Sequence, residues 1–132
     1  MYKYLGILDE KIAEYWNLEE HKNKPILVYD DRIQHVIDAH IDDFENLEKI
    51  YQSYEMLGII IKKPDYVFYN NKTKGLEYYK NIKLNICVAV RINTGKVLKV
   101  RSWYPANTFK ISNRKRKELE MMSIEDDKCG II

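Results

Sequence analysis

The stretch "NIKLNICVAVRINTGKVLKVRSWY", residues 81–104, decides the fold class because its side chains alternate between apolar and polar. A period of two is typical of a β-strand with one buried face. The segment "NTGK", residues 93–96, is typical of a tight turn between antiparallel strands. Before this turn, the apolar side chains that share one face are Ile82, Leu84, Ile86, Val88, Val90 and Ile92. The stretch therefore predicts a long strand over residues 81–92, a hairpin turn and a second strand.

The second strand of this hairpin, residues 97–104, supplies candidate site residues. Alternation places Leu98 and Val100 on the buried face, and the same row continues through Ser102 and Tyr104. The opposite face then carries Lys99, Arg101 and Trp103. Two hydroxyl groups at the end of a buried row are expected at the edge of the core, where a cleft would open. In the alternative interpretation, the Ser102 hydroxyl is satisfied by a neighbouring backbone group.

Helical spacing dominates the first half of the chain. It predicts one helix over residues 7–20 with Asp9 as its N-cap, a second capped by Asp30 or Asp31, and a third over residues 42–58 that ends at Gly58. Short strands are predicted over residues 26–29 and 64–69, followed by a hairpin loop over residues 70–75. The predicted class is α+β, with N-terminal helices packed on one face of a three- to four-stranded antiparallel β-meander and a basic C-terminal helix or tail.

The length of 132 residues predicts a single domain. We expect a helical extension over residues 1–24, a core over 26–117 and an acidic tail over 118–132. Two cysteines, Cys87 and Cys129, are too few for a disulfide framework, so reduced thiols are expected. The sequence shows no signal peptide and no apolar run long enough to span a membrane, which favours a cytoplasmic protein.

The segment "RIQHVIDAH", residues 32–40, contains two of the three histidines, His35 and His40. Imidazole is the side chain that changes charge near neutral pH, which suits acid–base catalysis. A spacing of five places the two rings about 140° apart on an ideal helix, whereas zinc ligands on one helix favour spacings of three or four. We therefore expect the two histidines not to bind a metal. If His40 lies beyond the helix end, the two rings can meet at one site, and we expect acid–base catalysis. Alternatively, one histidine flanks the helix and the other is exposed.

The segment "KISNRKRK", residues 110–117, contains five positive charges. Clusters of lysine and arginine provide phosphate contacts in nucleic-acid-binding proteins, although many are simply solvated helix faces.

The eleven tyrosines in the chain allow a structural and a functional interpretation. They can fill a small β-rich core, or they can line an interface on which nucleic-acid bases stack.

The order of these motifs resembles the phage-associated branch of the barnase–EndoU–colicin E5/D–RelE (BECR) group of small ribonuclease-like domains. The residues that carry the resemblance are His35-Val36 and His40, Ile60 and Ile61, Pro64-Asp65, and Ser102-Trp103-Tyr104. The resemblance covers residues 26 to about 117. At one position the chain departs from the pattern, since Ala39 stands where members of the group often have a basic residue.

The resemblance implies a toxin-like ribonuclease that cleaves RNA without a metal or another cofactor, in the cytoplasm of a phage-infected or mobile-element host. It implies acid–base roles for His35 and His40, and phosphate binding or orientation by Ser102 and Tyr104. The implied nucleic-acid contacts are Lys99, Arg101, Lys110, Arg114, Lys115 and Arg116. An immunity protein is an implied partner. The alternative is a catalytically inactive phage or mobile-element protein that binds a host protein or a nucleic acid.

Overall fold

The structure is a computed structural model that describes residues 1–106. In this range the chain forms three α-helices, a 3-10 turn at Glu19–His21 and one six-stranded sheet. The helices are α1 (Glu10–Tyr15), α2 (Asp31–Phe44) and α3 (Leu47–Lys62). The strands are β1 (Tyr2–Ile7), β2 (Pro25–Tyr29), β3 (Tyr66–Asn70), β4 (Gly75–Asn81), β5 (Asn85–Arg91) and β6 (Leu98–Pro105). The predicted basic segment and acidic tail lie outside the described residues.

The sheet has the order β1-β2-β6-β5-β4-β3, and the α+β class is confirmed. Strands β3 to β6 form the predicted antiparallel meander. The prediction of only three to four strands is wrong, because β2 pairs with β6 in parallel and β1 extends the sheet beyond β2. Parallel neighbours need a long connection, and α2, α3 and the first three meander strands supply it.

The predicted helix over residues 7–20 is wrong at both ends, since α1 ends at Tyr15 and only the 3-10 turn at Glu19–His21 follows it. Residues up to Ile7 form β1, and only α1 is helical, with the Asp9 carboxylate capping it by accepting from the backbone N–H groups of Lys11 and Ile12. The apolar pair Ile7 and Leu8 matches helical spacing, but pairing with β2 and its preceding loop decides the conformation. Tertiary pairing thus overrides a local pattern that fits both structures.

Helices α2 and α3 differ from the prediction at their ends. Asp30 occupies the N-cap position of α2, as predicted, but its carboxylate does not make the expected capping hydrogen bond. The third helix begins after Asn46, whose side chain accepts from the backbone N–H of Lys49, and it continues through Gly58 to Lys62. Gly58 does not end it because its apolar run continues into Ile60 and Ile61, which are buried.

The main core lies between α3 and one face of the sheet, which we call the first face. Its sheet residues include Leu76, Tyr78, Ile86, Val88, Val90, Leu98, Val100 and Trp103. The predicted long strand over residues 81–92 is shorter, because Ile82 and Leu84 lie in the β4–β5 connection, although both still pack against this core. Among residues 1–106, no helix is both long enough and apolar enough to cross a membrane.

Candidate active site

A β-bulge in β6 determines which side chains reach the candidate site. Val100 pairs with Val90 and Ser102 pairs with Ala89, so Arg101 is an extra residue on β6. An inserted residue reverses the alternation of every side chain that follows it. The predicted single row from Leu98 to Tyr104 is therefore wrong, because Ser102 and Tyr104 lie on the opposite face, which we call the second face.

Trp103 shows why the reversed alternation is favourable. Its side chain is fully buried in the first-face core instead of pointing away from it, as predicted. The indole Nε1–H donates to Ser53 Oγ of α3 over 2.8 Å. Burying a large aromatic ring with its polar group satisfied outweighs the locally disrupted ladder, so the bulge is stabilised by the core behind it.

A cavity of about 340 Å³ opens beside the bulge. Strand β2 pairs with β6 only at Leu98 and Lys99, and α2, which directly follows β2, packs along β6 beyond that point. The Arg32 guanidinium of α2 donates to the carbonyl oxygen of Arg101 over 3.3 Å. The cavity lining consists of Tyr29, Asp31, Arg32, Arg91, Lys99, Val100 and Arg101.

The charge of this lining favours an anion. Four cationic side chains, those of Arg32, Arg91, Lys99 and Arg101, face one carboxylate, that of Asp31. Lys99 and Arg91 are register partners on neighbouring strands, so their like charges lie on the same face without mutual neutralisation. A cleft with a surplus of one charge concentrates ligands of the opposite charge. The predicted residues Lys99 and Arg101 therefore come together, joined by Arg32 and Arg91.

His40 lies farther along α2, against the end of β6. Its ring stacks on the ring of Tyr104 with centroids 5.0 Å apart, and its side chain is 23% exposed. Nδ1 is 3.0 Å from Oδ2 of Asp43. An ionised carboxylate can only accept a hydrogen bond, so in the neutral imidazole the proton is on Nδ1 and the lone pair is on Nε2. This arrangement prepares Nε2 to take a proton from a bound molecule.

His35 is not brought together with His40. Both lie within the continuous helix α2, so the expectation that His40 lies beyond the helix end is wrong. His35 is exposed, and its ring has no hydrogen bond to any residue within 1–106. His35 lies one turn from Arg32, on a side of α2 that does not face the core. The next residue, Val36, faces the core and is buried.

The Tyr104 hydroxyl is held in its neutral form. Burial, and then the neighbouring Cys87, raises the pKa of this hydroxyl well above its usual value. Cys87 is the register partner of Tyr104 on β5, and its Sγ is 3.5 Å from the hydroxyl oxygen. A neutral hydroxyl can donate a hydrogen bond to an anion, whereas a phenolate would repel it.

Ser102 and Glu77 lie in the neighbouring row of the second face, which runs from Glu77 through Ala89 to Ser102. Ser102 is buried, and its hydroxyl oxygen has no hydrogen-bond partner within the described range. Glu77 is 9% exposed and accepts from the Tyr79 hydroxyl over 3.1 Å and from the Asn70 amide over 2.9 Å. Sequence reasoning missed Glu77, although a carboxylate inside an aromatic strand was a usable signal.

The basic segment and the expectation about a metal site remain to be compared with the structure. Lys110, Arg114, Lys115 and Arg116 lie outside the described residues. Within residues 1–106, no group of three or more histidine, cysteine, aspartate or glutamate side chains is arranged to hold a metal ion.

Comparison with known proteins gives one match. The model of the phage-Barnase-EndoU-ColicinE5/D-RelE like nuclease family matches residues 3–113, so it includes β1 as well as the predicted core. No curated protein and no solved structure gave a significant match. The family match spans most of the chain, including every residue of the cavity and the His40–Tyr104 stack. The chain therefore belongs to the phage-Barnase-EndoU-ColicinE5/D-RelE like nuclease family.

Proposed function

We propose that this protein is a metal-independent endoribonuclease of the toxin type, which cleaves RNA by attack of a ribose 2′-hydroxyl on the adjacent phosphate. The observation that carries the proposal is the placement of two features along one strand. The cationic cavity surrounds Lys99 and Arg101, and the histidine that carries an available lone pair stacks on Tyr104 a few residues later. A cationic site and a histidine base on the same helix–strand surface are two of the elements that phosphodiester transesterification needs.

His40 is the proposed general base. Its Nε2 takes the proton of the 2′-hydroxyl, the 2′-oxygen forms a bond to phosphorus, and the bond from phosphorus to the 5′-oxygen breaks. The Asp43 carboxylate stabilises the imidazolium that forms, since it accepts from Nδ1–H. The leaving 5′-oxygen receives a proton from a general acid, for which His35 is the candidate. In the reverse assignment, His35 would take the proton of the 2′-hydroxyl and His40, protonated and paired with Asp43, would give a proton to the 5′-oxygen.

The transferring phosphate is proposed to bind at the cavity. The cations of its lining, together with Lys110, would stabilise the extra negative charge of the pentacoordinate state. Ser102 and Tyr104 would orient the phosphate through their hydroxyl groups. The residues Arg114, Lys115 and Arg116 are proposed to contact the backbone of a longer substrate. An immunity protein as a partner and action in the cytoplasm of a phage-infected or mobile-element host complete the proposal.

The test is cleavage of a set of diverse RNAs in the presence of EDTA. The wild type is compared with His40→Ala, His35→Ala and Gln34→Ala, an exposed neighbour on α2 that serves as the matched control. Products ending in a 2′,3′-cyclic phosphate, resistance of the corresponding DNA, and loss of activity in the folded His40→Ala variant would support the proposal.

Intact RNA after incubation with the wild type would overturn it. So would cleavage that EDTA abolishes, or cleavage that persists in His40→Ala. RNA binding without cleavage would favour the alternative of an inactive, nucleic-acid-binding member, which Ala39 on the exposed side of α2 already suggests.

A further inference from the structure

A pair of tyrosines, one exposed and one half-buried, lies at the edge of the sheet beside the cationic cavity. Tyr2 of β1 and Tyr29 of β2 are register partners, and their ring centroids are 5.7 Å apart. Tyr2 is 60% exposed although it is a large apolar ring. Aromatic rings are enriched where a protein surface contacts another molecule.

The tyrosine pair is continuous with the cavity. Tyr29 belongs to the cavity lining, and the Nζ of Lys99 lies 5.2 Å from the centroid of its ring. Tyr4, which is 56% exposed, pairs with Leu27, and Leu27 pairs with Lys99, so these three residues lie on the same face of the sheet. Aromatic rings on β1 and β2 therefore lead directly to cations on β6 and β5.

Aromatic rings beside a cationic groove match the chemistry of a single-stranded nucleic acid. The cations bind the phosphate backbone, and each base presents a π-face that stacks on an aromatic ring. Bases in a duplex are already stacked on one another, so they cannot use such a platform. An apolar protein surface fits the tyrosine pair less well, because four cations line the adjoining cavity and the tyrosine hydroxyls are polar.

We infer that Tyr2 and Tyr29 form a base-stacking subsite for the nucleotide next to the phosphate held in the cavity, which restricts the substrate to single-stranded RNA. The inference rests on the proposed function in one respect, because it takes the cavity as a phosphate site. It adds a second recognition element, which is built from β1 and β2 rather than from the histidine helix.

The experiment measures binding alone, with a short fluorescein-labelled 2′-O-methyl oligouridylate that cannot be cleaved because its 2′-oxygen is methylated. Fluorescence anisotropy gives the dissociation constants of the wild type, Tyr2→Ala, Tyr29→Ala, Tyr2→Phe and Tyr29→Phe. Tyr51→Ala, which removes a tyrosine of similar exposure from α3, is the matched control. We expect each alanine variant to weaken binding by about fivefold or more, and the phenylalanine and Tyr51 variants to bind like the wild type.

The dependence on salt separates stacking from charge. The measured quantity is the slope of the logarithm of the binding constant against the logarithm of the salt concentration. Lys99→Gln should reduce the magnitude of this slope by about one. Tyr2→Ala should weaken binding at every salt concentration and leave the slope unchanged. A duplex of the same length should bind more weakly to the wild type and be insensitive to the tyrosine substitutions.

Wild-type affinity in both Tyr2→Ala and Tyr29→Ala would overturn the inference, and so would equal losses with single strand and duplex. If Tyr29→Ala fails to fold, as judged by its thermal transition, Tyr2→Ala decides the question, because Tyr2 is mostly exposed. Since no step of the assay requires cleavage, a failure of the proposed nuclease activity leaves this result standing, and a failure of the stacking subsite leaves the nuclease activity standing.

Discussion

The ring of His40 stacks on the ring of Tyr104 with an interplanar angle of 27°, and this contact joins the middle of α2 to the end of β6. The contact exists only because the Arg101 bulge turns Tyr104 away from the first-face core. One inserted residue therefore places a neutral hydroxyl beside a histidine whose lone pair is available.

The link from Asp43 to His40 should contribute to catalysis without contacting the substrate. In Asp43→Asn, the neutral amide no longer stabilises the imidazolium and no longer fixes the proton on Nδ1. We therefore expect kcat to fall by roughly tenfold to a hundredfold. The loss in His40→Ala should be larger, about a hundredfold or more. KM should change little. Steady-state cleavage of a labelled single-stranded RNA measures both constants. Asp42→Asn is the control, and an equal loss in that variant would contradict the assigned role.

The hydrogen bond from Trp103 to Ser53 should stabilise the fold, whereas the Ser102 hydroxyl should not. Ser53→Ala leaves a buried indole N–H without an acceptor, which costs about 1–3 kcal/mol. Ser102→Ala removes a buried hydroxyl that has no partner within residues 1–106, so the free energy of unfolding should stay the same or rise. Urea unfolding of both variants measures the difference. A larger loss in Ser102→Ala than in Ser53→Ala would contradict it.

The bulge itself can be tested by deleting Arg101. Without the extra residue, the strand must either expose Trp103 or shift its whole register, and loss of a buried tryptophan from a core costs about 3–5 kcal/mol. We expect the deletion variant to be unfolded or severely destabilised, while Arg101→Ala stays folded, because that side chain is exposed. Circular dichroism and thermal unfolding compare the two. A deletion variant as stable as Arg101→Ala would show that the bulge is dispensable.

Stability should fall in alkaline solution because of the buried tyrosines. Burial raises the pKa of Tyr78, Tyr79 and Tyr104 well above the usual value of about 10. Above about pH 10 the unfolded chain loses these protons while the folded chain keeps them, so the free energy of unfolding decreases as pH rises from there. Below about pH 10 these tyrosines are protonated in both states, so they do not make the free energy of unfolding depend on pH.

Tyr78→Phe is the sharpest probe of this effect, because the Tyr78 hydroxyl has no hydrogen-bond partner within the described residues and its removal breaks no hydrogen bond there. This variant should flatten the alkaline decline of the urea midpoint without lowering stability at neutral pH. Tyr2→Phe, at the exposed end of β1, provides the matched control. An unchanged alkaline slope in Tyr78→Phe would refute the assignment.

The sequence predicted the meander and the capped α1 because those signals are local. Alternation identified the buried faces of β5 and of Leu98 and Val100, and Asp9 was recognised as a cap. It could not reveal the Arg101 bulge, because every residue of "VRSWY" is acceptable on either face of a strand and only the packing of Trp103 decides between them. Nor could it reveal β1, whose partner strand lies beyond α1.

The candidate site was predicted in part for the same reason. The resemblance supplied Lys99 and Arg101, which alternation placed on the face opposite Ser102 and Tyr104, and Arg32 joins them only because α2 packs along β6. Two residues left a signal that was not used. Arg91 faces Lys99 across the predicted turn, and Asp43 follows His40 at a spacing of three, which brings side chains together on a helix.

The brief parallel pairing of β2 with β6 has a consequence for the order in which the cavity is assembled. Arg32 contacts the backbone of Arg101 across 69 residues of sequence, so the two sides of the cavity are made at different times during synthesis. A nascent chain that has released α2 and α3 still lacks Lys99, Arg101 and Tyr104. Contacts between residues so distant in sequence form late in folding. The two sides of the cavity can therefore come together only after β6 has left the ribosome.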